Sequence, residues 1–143
     1  LIIEARYYDD IADELLSGAV AEIEASGASA EKVSVPGALE IAQVIQMAGD
    51  AALDYDGVVA LGCVIRGDTY HFEVVANESA AGLTRVALDT GVPVVNGVLT
   101  TDDEDQARAR VEDKGRDAAR VAVEMGNLIW SLAEDSDVDA GEQ

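Results

Sequence analysis

A chain of 143 residues, 49% of them hydrophobic, is long enough for one domain to bury a core and too apolar for a disordered tail. No apolar run reaches about 18 residues without a charge, so no membrane-spanning helix is expected. A formal net charge of −20 repels phosphate backbones and anionic lipid, which speaks against nucleic-acid and membrane partners, and the single cysteine excludes an internal disulfide or a thiolate metal site.

LIIEA (1–5) reads as a buried strand already under way at the first residue. Asp9 or Asp10 is placed to cap the helix that follows; Ile11, Leu15, Ala19 and Ile23 recur at helical spacing, and Gly27 can end it. KVSV (32–35) is a short strand stopped by Pro36-Gly37, and a helix is expected over about 38–49. GVVALGCVI (57–65) is continuous, β-branched and without alternation, the pattern of a parallel strand covered on both faces. From Tyr70 the period changes: Phe72, Val75, Ala76, Ser79, Leu83 and Val86 form one stripe of a helix ending at Gly91. VPVVNGVLT (92–100) is another buried strand. A short helix is expected through DDEDQARAR (102–110), then a last one over about 116–133 with Ala118, Val121, Ala122, Met125, Ile129 and Leu132 on one face. One domain over 1–133 is expected. The remaining EDSDVDAGEQ (134–143) has five acids and no base and is expected to be a disordered tail. With no signal peptide visible, a bacterial-type cytoplasm is the expected compartment; the start at Leu1 rather than Met is compatible with missing residues or a removed targeting segment.

Alternating strands and helices call for an α/β fold, a parallel sheet with helices on both faces and right-handed crossovers. Ligands of such sheets sit beyond the carboxyl ends of the strands. Three loops converge there: Arg6-Tyr7-Tyr8, Val35-Pro36-Gly37-Ala38 and Arg66-Gly67-Asp68-Thr69-Tyr70-His71, with Thr100-Thr101 at a fourth edge. In the third loop Gly67 lets a ligand approach the backbone closely. Asp68, Thr69 and Tyr70 present amides at a helix start, which favours an anion such as phosphate, and Thr69 adds a hydroxyl. The Asp68 carboxylate would oppose that anion, so it is expected to point away or to cap the helix. His71, the only histidine, follows at once, and an imidazole can move a proton near neutral pH. Simpler readings apply to each: a lone histidine at a helix start is more often a surface or capping residue, Cys63 a small core residue, and Arg108, Arg110 and Lys114 a solvated helix face.

VPGALE (35–40), LGCVIRGDTYHFEVVANE (61–78) and GVPVVNGVLTTDDEDQA (91–107) strongly resemble the 6,7-dimethyl-8-ribityllumazine synthase family, and EARYYDDIADELLSGA (4–19) resembles its first loop and helix. The resemblance runs in order from about residue 2 to 132. It implies a flavodoxin-like three-layer sandwich around a central four-stranded parallel sheet. It implies a homo-oligomer with active sites between subunits; members assemble as pentamers, some of which build sixty-subunit shells, and the shortened segment after Arg110 favours a pentamer here. The implied reaction is a step of riboflavin biosynthesis: 5-amino-6-(D-ribitylamino)uracil condenses with 3,4-dihydroxy-2-butanone 4-phosphate, with imine formation, phosphate loss and ring closure, and with no cofactor and no metal.

Position by position, the resemblance assigns Tyr7 to stack on the pyrimidine ring and Gly37, Ala38 and Glu40 to the segment beside the ribityl chain. Val64 and Ile65 match backbone contacts to the heterocycle, Gly67, Asp68 and Thr69 the phosphate loop, and His71 the proton-transfer histidine. Arg110 matches an arginine that reaches the phosphate from the neighbouring subunit. Asn96 stands where many members have an aromatic facing the neighbour's ligand. The segment between Arg110 and Lys114 is several residues shorter than in many members, so matching Lys114 to a later lysine of that subunit depends on where the gap is placed. Two other readings stand beside the enzyme. One is a flavin-binding electron carrier, on fold alone. The other is a structural relative with little activity, against which His71, Thr69 and Arg110 argue.

Overall fold

The structure, a computed structural model, describes residues 1–140. Four strands, β1 (Ile2–Ala5), β2 (Lys32–Val35), β3 (Val58–Ile65) and β4 (Val94–Thr101), form one parallel sheet in the order β2-β1-β3-β4. Five helices connect and follow them: α1 (Asp9–Ala25), α2 (Ala38–Ala48), α3 (Asp50–Leu53), α4 (His71–Thr90) and α5 (Glu104–Ala140). The pleat sends successive side chains to opposite faces. Ile2, Val59, Leu61 and Leu99 meet Ile11, Leu15 and Ala19 of α1 and Val111 and Ala119 of α5 on one side. Ile3, Ala5, Val58, Ala60 and Val98 meet Ile41 and Ile45 of α2 and Leu83 and Val86 of α4 on the other. The result is the α/β three-layer sandwich expected from the sequence, with β1 and β3 buried on both faces.

Two local expectations differ from what is found. Neither Asp9 nor Asp10 caps α1: Tyr8 is the cap residue and makes no side-chain cap bond, while both acids lie in the first turn. Their carboxylates are taken by guanidinium groups, Asp9 by Arg6 at 3.3 Å and Asp10 by Arg108 at 2.6 Å. The helix expected over about 38–49 is found as α2, after which Gly49 turns with φ 53° into the single turn of α3.

The second difference is larger. The two helices expected over 102–110 and 116–133 are one continuous helix, α5, which runs on to Ala140. Lys114-Gly115 looks like a stop in isolation, since glycine in a helix interior costs about 1 kcal/mol relative to alanine. Here Gly115 is the crossing point of α1 and α5. A Cβ on it would overlap the Leu15 carbonyl oxygen and lie 3.0 Å from the Leu15 carbonyl carbon. Gly18 answers from α1, where a Cβ would sit 3.3 Å from the Glu112 carbonyl oxygen. The stripe expected on 116–133 also divides. Ala118 and Ala122 are buried against the sheet, whereas Val121, Met125, Ile129 and Leu132 are exposed, together with Leu128 and Trp130. Of the expected tail, Glu134, Asp135 and Ser136 are exposed on α5, and 141–143 lie outside the described residues.

Candidate functional site

Beyond the carboxyl ends of β1, β2 and β3 lies a cavity of about 340 Å³. The β1–α1 loop supplies Tyr7 and Tyr8, the start of α2 supplies Gly37, Ala38 and Glu40, the end of β3 supplies Val64 and Ile65, and the turn into α4 supplies Gly67, Thr69 and His71. Residues as far apart in sequence as Tyr7 and His71 therefore share one wall because their strands are neighbours: β1 pairs β2 on one side and β3 on the other.

Each position follows from local structure. Tyr7 is 75% exposed, with its ring edge-on to Tyr8 at a centroid distance of 4.9 Å. Gly37 stands in extended conformation as the cap of α2, and its lack of a Cβ matters: one would lie 2.9 Å from Glu40 Oε2, so a side chain there would push the Glu40 carboxylate away. At the third loop the His71 backbone N–H donates to Thr69 Oγ1 at 3.4 Å, which draws the turn together just where α4 begins. Asp68 is exposed and is not among the residues lining the cavity. Cys63 reaches the wall, but burial, with a smaller contribution from the Glu104 carboxylate, pushes its thiol up to about 11. It stays protonated near neutral pH and is a poor nucleophile.

The remaining expected residues lie elsewhere. Asn96 is exposed on β4 opposite Ala60, several residues before the carboxyl end, and its Oδ1 accepts from the Val98 N–H at 3.0 Å. Arg110 and Lys114 lie on α5, away from the lining. Arg110 donates to the Gln106 carbonyl at 2.9 Å and has no carboxylate partner among the described residues. Arg6, Arg66, Arg108, Arg116 and Arg120 all have one, whereas Arg85, like Arg110, has none among the described residues. Arg108 is thus not a merely solvated residue; it ties α5 to α1 through Asp10.

Sequence reasoning missed several parts. Leu39, Phe72 and Val75 line the cavity; the last two had been assigned to the core stripe of α4, and that stripe continues into the site. Arg66 binds Asp102 at 2.8 Å and Glu73, and its guanidinium lies over the Phe72 ring at 4.4 Å. These contacts join the β3–α4 turn to the first turn of α4 and to the β4–α5 connection, and the two carboxylates hold the Arg66 guanidinium above its usual range. Glu4 is the other omission: a carboxylate only 1% exposed inside β1, bonded by Arg6 at 3.0 and 3.1 Å and by the Ser34 hydroxyl at 3.0 Å. A charge in a run such as LIIEA signals a buried pair, because an unpaired buried carboxylate would be strongly destabilising.

A parallel sheet covered on both faces, with tyrosine and phenylalanine rings, a strand-to-helix turn and an imidazole around one cavity, defines a class: an α/β protein with a ligand-sized cavity at its strand ends. The chain belongs to the 6,7-dimethyl-8-ribityllumazine synthase family, whose pattern matches residues 1–129. It is similar to the 6,7-dimethyl-8-ribityllumazine synthase of Methylibium petroleiphilum, at 55% identity over 135 residues covering 92% of this chain and 84% of the relative. The synthase of Leptothrix cholodnii is 53% identical, with 92% and 87% covered. That of Cupriavidus necator is 50% identical, with 99% and 89% covered.

Proposed function

We infer that this chain catalyses the riboflavin-biosynthetic transfer that joins 5-amino-6-(D-ribitylamino)uracil to 3,4-dihydroxy-2-butanone 4-phosphate, yielding 6,7-dimethyl-8-ribityllumazine with release of phosphate and water. Family membership over residues 1–129 supports the reaction. The observation that carries the residue roles is the convergence of Tyr7, Glu40, Ile65, Thr69 and His71 on one cavity. The direct test is turnover: purified protein with both substrates should form the lumazine and release phosphate, and absence of product would overturn the assignment.

The chemistry asks for three things. The pyrimidine's amine must meet the ketone in bonding geometry, protons must move as the imine forms, and the leaving phosphate must be held. In this reading Tyr7 stacks on the pyrimidine ring. Gly37, Ala38 and Glu40 lie along the ribityl chain, and the backbones of Val64 and Ile65 bond the heterocycle. Gly67, Asp68 and Thr69 cradle the phosphate through amides and the Thr69 hydroxyl, with the Asp68 carboxylate turned outward. His71 transfers protons within reach of that loop. Holding two reactants together supplies much of the rate.

The site is open in a single chain, with both Tyr7 and His71 exposed. A neighbouring subunit that covered it would exclude water and bring its Arg110 to the phosphate, with Asn96 facing the ligand from the same side and Lys114 nearby. Two observations support that arrangement: the unpaired Arg110 guanidinium, and the exposed apolar residues Met125, Leu128, Ile129 and Trp130 of α5, which suit burial against another copy. We assign the homo-oligomer to a pentamer, the unit over 1–133 to one domain, and the compartment to the cytoplasm. Among the described residues no helix is long and apolar enough to cross a membrane.

Tyr7 separates area from chemistry. Tyr7→Phe should be nearly silent, since a stacked ring supplies surface and orientation rather than a proton, while Tyr7→Ala should raise the pyrimidine Kd. Equal damage from both changes, read by titration with the pyrimidine, would mean that the hydroxyl matters and that stacking does not explain the residue.

Arg110 tests the shared site. Arg110→Ala and His71→Ala subunits, each impaired alone, should regain partial activity when co-expressed, because some sites then take His71 from one chain and Arg110 from its neighbour. The gain should vary with the mixing ratio. If verified mixed assemblies show only the summed activity of the parents, the pocket is built within one chain.

A further inference from the structure

We propose that Arg6 is a positioning residue for pyrimidine binding: its guanidinium, held by Glu4, Asp9 and Asp13 on the α1 side of the sheet, fixes the β1–α1 loop so that Tyr7 stands over the cavity. The proposal rests on the assignment of Tyr7 as the stacking ring.

The geometry is one-sided. Nη1 of Arg6 donates to both oxygens of Glu4, Nε to Asp9 Oδ1 at 3.3 Å, and Nη2 to the Asp9 carbonyl at 3.3 Å and to Asp13 Oδ1 at 2.5 Å. A planar guanidinium with acceptors in three directions has one orientation that satisfies them all. Glu4 anchors it from within the sheet, where Ser34 and the Lys32 ammonium, at 3.6 Å, complete the pairing of the carboxylate. Arg6 opens the three-residue connection between β1 and α1 and Asp9 follows it, so the clamp brackets Tyr7 and Tyr8. Tyr7 itself is held by little. Its ring meets Tyr8 edge-on, and its hydroxyl makes no side-chain hydrogen bond among the described residues. Where the ring stands is therefore decided by its backbone, which the Arg6 guanidinium holds together with the Tyr8 carbonyl, an acceptor of the Ala12 N–H at 2.9 Å. The pleat makes this division natural, with Arg6 directed to α1 and Tyr7 to the cavity.

Arg6→Lys isolates the function of the fork. Lysine keeps a positive charge opposite buried Glu4, so the fold is retained, but it cannot reach three carboxylates in fixed directions. The expected result is a pyrimidine Kd raised about 10-fold through misplacement of the ring. The KM for the butanone phosphate should stay within about twofold, and thermal unfolding should remain cooperative. In a Tyr7→Ala background the same change should add no more than about twofold, because the group it positions is gone. Equal loss for both substrates, or full additivity of the two changes, would overturn the proposal. An effective Tyr7→Ala beside a silent Arg6→Lys overturns the clamp alone, whereas a silent Tyr7→Ala overturns the stacking assignment and the clamp with it.

Discussion

His71→Ala lowers kcat by about 10- to 10³-fold, the range of a single general acid–base contribution, and changes the pyrimidine Kd far less. Three observations set this expectation. His71 is the chain's only histidine, so no other imidazole can stand in for it. It lies in the first turn of α4, tied through its backbone to Thr69 of the turn proposed to hold the phosphate. It lines the same cavity as Tyr7 and Ile65, the positions assigned to the pyrimidine. The loss stays within that range because approximation of two reactants does not depend on the imidazole. Rapid-mixing turnover across the neutral pH range, alongside binding of the pyrimidine, is the measurement. A variant with wild-type kcat at every pH would remove His71 from the chemistry. A variant with unchanged kcat and weakened binding would make it a contact residue only.

Gly115→Ala destabilises the protein by about 1–3 kcal/mol or more, the cost of forcing extra volume into a packed interior. Two physical effects oppose each other here, so the sign is informative. Helix propensity alone favours alanine by about 1 kcal/mol. Against it, the new Cβ would overlap backbone atoms of Leu15, which cannot rotate aside as a flexible side chain would. Relief requires that α1 move away from α5, opening the core formed by Leu15, Ala19, Val111 and Ala119. Gly126→Ala is the comparison: its Cβ would meet the Asp56 carbonyl oxygen at 3.2 Å, so a small shift suffices and the propensity gain offsets it. Chemical denaturation of both variants decides the matter. A Gly115→Ala protein as stable as the parent would show that the two helices separate at no cost.

Much of this protein was legible in its residues. KVSV is β2 residue for residue, marked off by Pro36-Gly37, and GVVALGCVI is β3 with one residue more, because a strand covered on both faces must be apolar at every position. The period of Ser79, Leu83 and Val86 identified α4, since a helix packed on a sheet needs one apolar stripe. Parallel topology then required the three loops to meet at one edge, and the cavity lies there. The tertiary structure alone decided what depends on a distant partner. Gly115 reads as a helix stop until the Leu15 backbone is set against it, and then the absence of a side chain is what lets the helix pass. Glu4 lies in a segment that reads as a buried strand, and how its charge is tolerated there appears only when Arg6, Lys32 and Ser34 are arranged around it. Asp10 reads as a cap until Arg108, 98 residues along the chain, takes its carboxylate. Local pattern records what a residue prefers within a few neighbours. Which of those preferences prevails is settled by packing and charge pairing between segments that only the folded chain brings together.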